Sequence, residues 1–251
     1  MMMLKDKICL VVGASSGMGR RTALAAGKAG AHVVIAARRP EACAEVATQI
    51  AADGGRATAI ACDATQPEAV EALVGQIECD HGRLDCAFNN IGHAFGNSPF
   101  HDTPIERWHD SIATNLTSVF LLMRAQVPLM IASGGGSIVN NSSTAGLRSA
   151  PQMGDYSAAK WGLIGLTRTV SAEYAEQNIR CNVIAPGIIM TEAAEELKGN
   201  LPDLFETLRE ETPAKRFGEM DEVADLVLWL LSDHSRYVNG VTVPIDGART
   251  A

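Results

Sequence analysis

Short apolar runs alternate with longer stretches of helical period along almost the whole chain, and this alternation limits the fold more than any other feature. It begins with KICLVVG (7–13), a helix over about 17–29 and HVVIAA (32–37), which together read as a β-α-β unit. It continues through a helix near 40–53, ATAIAC (57–62), a helix near 67–80 and LDCAFNN (84–90). A long helical stretch over about 104–131 precedes GSIVNNSS (136–143), and a second over about 154–177 precedes IRCNVIAP (179–186). After a variable region at 188–218 come a helix near 221–231 and a last strand, VTVPID (241–246). The strands are mostly continuous apolar runs, not alternating ones, so both sheet faces are expected to be covered. The reading is an α/β fold: a single Rossmann-like, doubly wound domain over 1–251, with a seven-stranded, mostly parallel sheet and helices on both faces.

A chain of 251 residues can bury a sizeable core, and no repeat, low-complexity tract or linker divides it. The GGG at 134–136 reads as a tight helix-to-strand connection. No apolar run reaches the roughly 18–20 residues of a membrane helix, so no membrane partner is expected. A net charge of −8 argues against a nucleic-acid partner. Six cysteines (Cys9, Cys43, Cys62, Cys79, Cys86, Cys181) form no CxxC pair and no Cys/His cluster, which points to reduced thiols and no metal site. The start, MMMLKDKICLVVGA, lacks the apolar region and cleavage site of a signal peptide, so a cytoplasmic location is expected.

Between the first strand and the first helix lies VVGASSGMGR (11–20), with Gly13, Gly17 and Gly19 spaced by Ser15, Ser16 and Met18. Missing side chains let the backbone turn sharply and bring N–H groups close to a pyrophosphate, which a helix N-terminus also favours. Simple tight packing is the other explanation of such a trio. The second strand ends Ala36-Ala37-Arg38-Arg39, with no acid before Glu41. A cation there attracts a ribose 2′-phosphate, whereas a carboxylate would bind the 2′-OH. NADP(H) is therefore preferred over NAD(H), with Arg38 as the first contact and Arg39 as the second; solvated surface arginines are the alternative. Asp63, followed by Ala64, ends the third strand, where it could accept from the adenine amino group or cap the next helix.

In DYSAAK (155–160), Tyr156 and Lys160 are four residues apart and so share a helix face. An adjacent ammonium favours the phenolate, which would bring a phenol of ordinary pKa ~10 nearer neutrality as an acid or base. Alone, the pair reads better as a surface helix pair. Its company decides: Gly13-x-x-x-Gly17-x-Gly19, NNIG (89–92), Asn115, Ser143, Tyr156-x-x-x-Lys160, Pro186-Gly187 followed by Thr191, and IDGA near the C-terminus. In this order the motifs resemble the short-chain dehydrogenase/reductase family over essentially the whole chain.

The resemblance implies a tetrad of Asn115, Ser143, Tyr156 and Lys160. Tyr156 would exchange a proton with the substrate oxygen and Ser143 would hydrogen-bond that oxygen. Lys160 would bind the nicotinamide ribose and lower the tyrosine pKa, and Asn115 would hold a water linking the lysine to solvent. Ser142 competes with Ser143, but the family's thirteen-residue spacing to the tyrosine selects Ser143. Asn90 and Gly92 would line the adenosine ribose and pyrophosphate, and Ile189 with Thr191 would hold the carboxamide. Three positions depart from the family: Val12 for threonine, Ile91 for alanine and Ala248 for glycine. Substrate contacts would come from His93 and Phe95, from Arg148 and Met153, and from Met190, Ala193 and Leu197 in a region read as either a lid or a surface excursion. Their apolar balance favours a moderately lipophilic ketone or secondary alcohol. A homo-oligomer, tetramer or dimer, assembled through the two long helices is also implied.

Overall fold

The computed structural model describes residues 2–251 apart from the side chain of Ala193, so the expectation for Ala193 lies outside the described residues. The chain runs β1 (Ile8–Val12), α1 (Gly17–Lys28), β2 (His32–Ala37), α2 (Pro40–Ala52), β3 (Arg56–Ala61), α3 (Pro67–His81) and β4 (Cys86–Asn89). It continues with α4 (Ile105–Ile112), α5 (Ser118–Ala132), β5 (Gly136–Asn141), α6 (Gly154–Glu173) and β6 (Ile179–Pro186). The last part is β7 (Ile189–Met190), α7 (Glu192–Asn200), α8 (Pro202–Glu211), β8 (Gly218–Glu219), α9 (Met220–Leu231) and β9 (Thr242–Ile245).

Seven strands form one sheet in the order β3-β2-β1-β4-β5-β6-β9, and every neighbouring pair is parallel. The strand order reverses between β1 and β4, so a crevice opens at their carboxyl ends, where doubly wound sheets take ligands. Two faces need two cores. Cys9, Val11, Val33 and Ile35 pack with Ala23, Val223 and Val227 of α1 and α9 on one side. Leu10, Val12, Val34 and Ile138 pack with Leu73, Leu122 and Leu163 of α3, α5 and α6 on the other. The two-residue period of the strands divides consecutive residues between these cores. Leu122 is fully buried, and its truncation to alanine would cost about 2–5 kcal/mol.

Helix starts follow local chemistry. Proline occupies the first turn of α2, α3 and α8, where its missing N–H is not needed. α9 opens with a reciprocal capping box between Glu219 and Glu222. The GGG connection is as expected, with Gly134 at φ +85° and Gly135 at φ +131° before β5 begins at Gly136.

Two features differ from the sequence expectation. β7 and β8 pair in a separate two-stranded parallel ladder, which ties the two ends of the 188–218 excursion together. The stretch expected as one long helix is a continuous rod, Ile105–Ala132, interrupted by a π-helical turn at Ala113–Thr117. That rod is long and apolar enough to cross a membrane by length and composition, although no single apolar run is. Half of its apolar window is buried inside the protein, where Val119, Leu122, Met123, Val127 and Met130 cover the sheet. All six cysteines are free and only Cys79 is exposed. Burial pushes the Cys62 thiol up to about 11 and Cys181 up to about 12.

Candidate active site

The carboxyl end of β1 leads into a cradle that only glycine permits. Gly13 sits at φ +76°, and a Cβ there would fall 2.2 Å from the carbonyl oxygen of Asn90. A Cβ at Gly19 would fall 2.2 Å from the carbonyl oxygen of Gly13. Ser16 caps α1 without a side-chain hydrogen bond, and the first turn holds no acidic residue. The helix therefore presents free N–H groups and the positive end of its dipole to the cradle. These features fit the pyrophosphate of a dinucleotide. Ser15 and Met18 are partly exposed along the same turn.

A ladder of side chains runs from this turn across the strand ends. Asn90 Nδ2 donates to Gly13 O at 3.3 Å, and Asn141 Nδ2 donates to Asn90 Oδ1 at 2.8 Å. Beyond β2, Arg38 and Arg39 are both exposed, and Arg39 Nη2 donates to Ser15 Oγ at 3.1 Å. Of the two arginines, Arg39 is the one whose side chain reaches the glycine turn. Asp63 does not cap α3. Its Oδ1 accepts from Thr65 N at 3.0 Å and Thr65 Oγ1 at 2.8 Å in an Asx turn, and α3 begins after Gln66. Ala64 is buried in the apolar cluster beside it.

Lys160 lies beneath the strand ends with 1% of its surface exposed. Its Nζ donates to Asn141 O at 2.8 Å and Ile91 O at 3.2 Å, and stands 5.5 Å from the centre of the Tyr156 ring. Burial pulls its pKa down to about 7. Burial also raises the Tyr156 phenol, and the Ser143 hydroxyl pulls it part of the way back. The sequence reading had the ammonium lowering the phenol. In the fold, desolvation dominates and the ammonium is under the ring. Ser143 Oγ accepts from Ala145 N at 3.2 Å, which leaves its own O–H free to donate. Ser142 is buried, with its hydroxyl donating to Lys160 O at 3.1 Å.

Asn115 belongs to the π-helical turn, and its side chain is fully engaged. Oδ1 accepts from His93 N at 2.9 Å, and Nδ2 donates to His93 O at 2.9 Å and Ser111 O at 3.0 Å. Its side-chain amide pins the backbone that follows Gly92. A Cβ on Gly92 would fall 2.9 Å from Lys160 Nζ. The His93 ring packs edge-on against Phe95, with centroids 4.7 Å apart. Met153 is half-buried just before α6, as are Met190 on β7 and Leu197 on α7. Pro186 ends β6 and Gly187 follows it, Ile189 is buried, and Thr191 caps α7 by accepting from Ala194 N at 3.4 Å.

The departures now have places. Val12 and Ile91 pack with the same apolar cluster, so the lost hydroxyl and the added bulk fall together. Ala248 holds φ +69°, a conformation in which its glycine counterpart would be unstrained. Sequence reasoning passed over Ile91 and Asn141 as partners of Lys160, because both act through main-chain carbonyls.

Comparison with known proteins agrees with this geometry. A family model described as enoyl-(acyl carrier protein) reductase matches residues 13–249. An A-factor type gamma-butyrolactone 1′-reductase (1S-forming) of Streptomyces virginiae is 40% identical, over 99% of this chain and 97% of its own length. A cyclohexanol dehydrogenase of Acinetobacter sp. is 37% identical, over 98% of this chain and 96% of its own. The crystal structure of a short-chain type dehydrogenase/reductase from Mycobacterium marinum superposes with a TM-score of 0.92 at 35% identity, covering 100% of this chain and 98% of that one. Fold, site and likeness along the full length thus converge: the chain belongs to the short-chain dehydrogenase/reductase family, nicotinamide-dependent oxidoreductases of alcohol and carbonyl groups.

Proposed function

We propose that the chain reduces a moderately lipophilic ketone to a secondary alcohol with NADPH, Tyr156 serving as the acid. The observation that carries this reading is Lys160, desolvated beneath the Tyr156 ring with a pKa near 7 and fixed on two main-chain carbonyls. When bound, the nicotinamide supplies the hydride. Ser143 donates its free O–H to the carbonyl oxygen and orients it, and Tyr156 passes its phenolic proton to that oxygen. Lys160 titrates near neutrality and is placed to restore the phenolic proton, so the site can work without a strong external acid. Asn115 holds His93 and with it the start of the 93–104 loop.

The preference for the 2′-phosphate rests on Arg39, whose guanidinium spans from the end of β2 to Ser15. A phosphate between Arg39 and the serine hydroxyls would take charge-assisted hydrogen bonds in place of the present one. Asp63 keeps its Oδ2 for the adenine amino group, and Ile189 with Thr191 serves the carboxamide. The 188–218 excursion, carrying Met190 and Leu197, closes as a lid over His93, Phe95 and Met153, and the apolar surfaces of these residues set the substrate class. Exposed Phe120, Ile131 and Trp161 on the outer faces of α5 and α6 support assembly of a homo-oligomer there.

A second reading, oxidation of a cyclic or polyol alcohol with NAD+, is supported by the relative named for cyclohexanol. One experiment separates the two: titration with NADPH and NADH side by side, then ketone and alcohol panels on wild type and Tyr156→Phe. The reductase reading expects tighter NADPH and ketone turnover that falls by about 10²–10⁴ in the variant. It fails if NADH binds more tightly or if the variant turns over normally.

A further inference from the structure

On the proposed reading residues 93–104 form a wall of the substrate site; they are almost entirely exposed loop, yet a buried charge pair ties them to the helix that carries Tyr156. Arg107, in the first turns of α4, donates from Nη2 to Ser98 Oγ at 2.8 Å and Thr103 Oγ1 at 3.2 Å. The same nitrogen stands 3.5 Å from Asp155 Oδ1, and the two side chains are 12% and 1% exposed. Asp155 is the second residue of α6 and immediately precedes Tyr156. Two further contacts join the same segments. Ser98 N donates to Gln152 O at 3.0 Å, with Gln152 held at φ +67°. Phe100 packs so closely on Gly154 that a Cβ there would lie 2.9 Å from its ring.

Neither Asp155 oxygen nor Arg107 Nε has a hydrogen-bond partner within the described residues. A buried ion pair with such incomplete pairing adds little to stability, and well-packed apolar side chains would serve the core as well or better. What it supplies is register. Arg107 cannot leave Asp155 without stranding a buried carboxylate, and it cannot stay without holding Ser98 and Thr103. The loop is thereby coupled to the helix end that carries Tyr156.

We propose that Arg107 and Asp155 are positioning residues that fix the 93–104 wall relative to Tyr156, and so set ketone affinity without touching the cofactor. The kinetic part rests on the reductase reading; the structural part does not. The deciding variant is the double Arg107→Met/Asp155→Leu, which removes both charges at similar size and remains informative where either single change fails to fold. It would be compared with wild type by thermal melting, by fluorescence titration with NADPH, by hydrogen exchange of the 93–104 peptide, and by steady-state reduction of a ketone panel that includes cyclohexanone.

The expected result is a folded protein with near-wild-type melting and NADPH affinity. Its 93–104 exchange should be about tenfold faster, and its ketone KM about tenfold higher with kcat little changed. Wild-type exchange and KM in the double variant would overturn the proposal, since the pair would then be dispensable for the wall. A collapse of melting temperature and NADPH affinity together would also overturn it, by showing the pair to be structural. If wild type reduces no ketone, the reductase reading falls, while the exchange and NADPH measurements still judge the coupling.

Discussion

Replacing Lys160 with methionine removes an ammonium that the fold holds out of water, and the cost of that burial can be read as a pH dependence. Burial moves the Lys160 pKa from its ordinary 10.5 to about 7. Between those values the unfolded chain carries a proton at this position that the folded chain does not. Stability rises with pH wherever the unfolded state binds more protons, by ~1.4 kcal/mol per pH unit for one proton. The lysine's share is therefore fully present above about 10.5, declines as pH falls toward about 7, and is flat below. Methionine abolishes this slope and strands the carbonyls of Asn141 and Ile91, a pH-independent loss of about 1–3 kcal/mol each. Only the difference between wild type and variant isolates the lysine, because Tyr156 and the buried cysteines titrate in both proteins. Urea unfolding without cofactor, in half-unit steps from pH 6 to 10, should show wild type gaining ~4 kcal/mol on the variant between pH 7 and 10. A flat difference would refute the reasoning. It would mean that the two carbonyls keep Lys160 charged throughout, as a fixed anchor and not as a proton carrier.

Two further outcomes follow from particular contacts. Arg39→Ala should weaken NADPH by about 10–100-fold and NADH only slightly, from the loss of charge-assisted bonds worth ~1.5–3 kcal/mol. Arg38→Ala should have the smaller effect, and fluorescence titration of both variants checks the order; equal effects on the two coenzymes would remove the phosphate role. Ala248→Gly should stabilise the fold. A left-handed alanine costs about 1–2 kcal/mol, and glycine's extra chain entropy returns ~0.4–1 kcal/mol of that. The net gain should raise the melting temperature by about 1–4 °C in calorimetry, and a lowered value would show that φ +69° is not strained here.

What could be read in advance was whatever depends on burial on both sides. β2 is legible as Val33-Val34-Ile35-Ala36 because all four are fully buried between two helix layers. The glycine turn was legible because only glycine permits the close backbone approaches at Gly13 and Gly19, whereas the tetrad was named through the family resemblance and not through spacing alone. Two-residue β7 and β8 are too short to carry a period, and ATNLT keeps a helical pattern whether its turn is α or π. The Arg39–Ser15 hydrogen bond joins residues 24 apart in sequence, a contact that residue identity alone does not encode.

Tyr156 and Lys160 show the deeper limit. Spacing of four establishes that they share a face, and from that alone the ammonium should lower the phenol's pKa. Whether that ammonium is charged depends on what covers it, and the cover comes from β4, β5 and the backbone after Asn90, distant in sequence. With the lysine buried, its charge is no longer a given but an equilibrium near neutrality, and the phenol is raised by the same desolvation. On the proposed mechanism the pair acts less as an anion-stabilising electrostatic field than as adjoining proton sites. The lysine changes its charge near neutrality, and the pH slope of the Lys160→Met comparison measures that property directly.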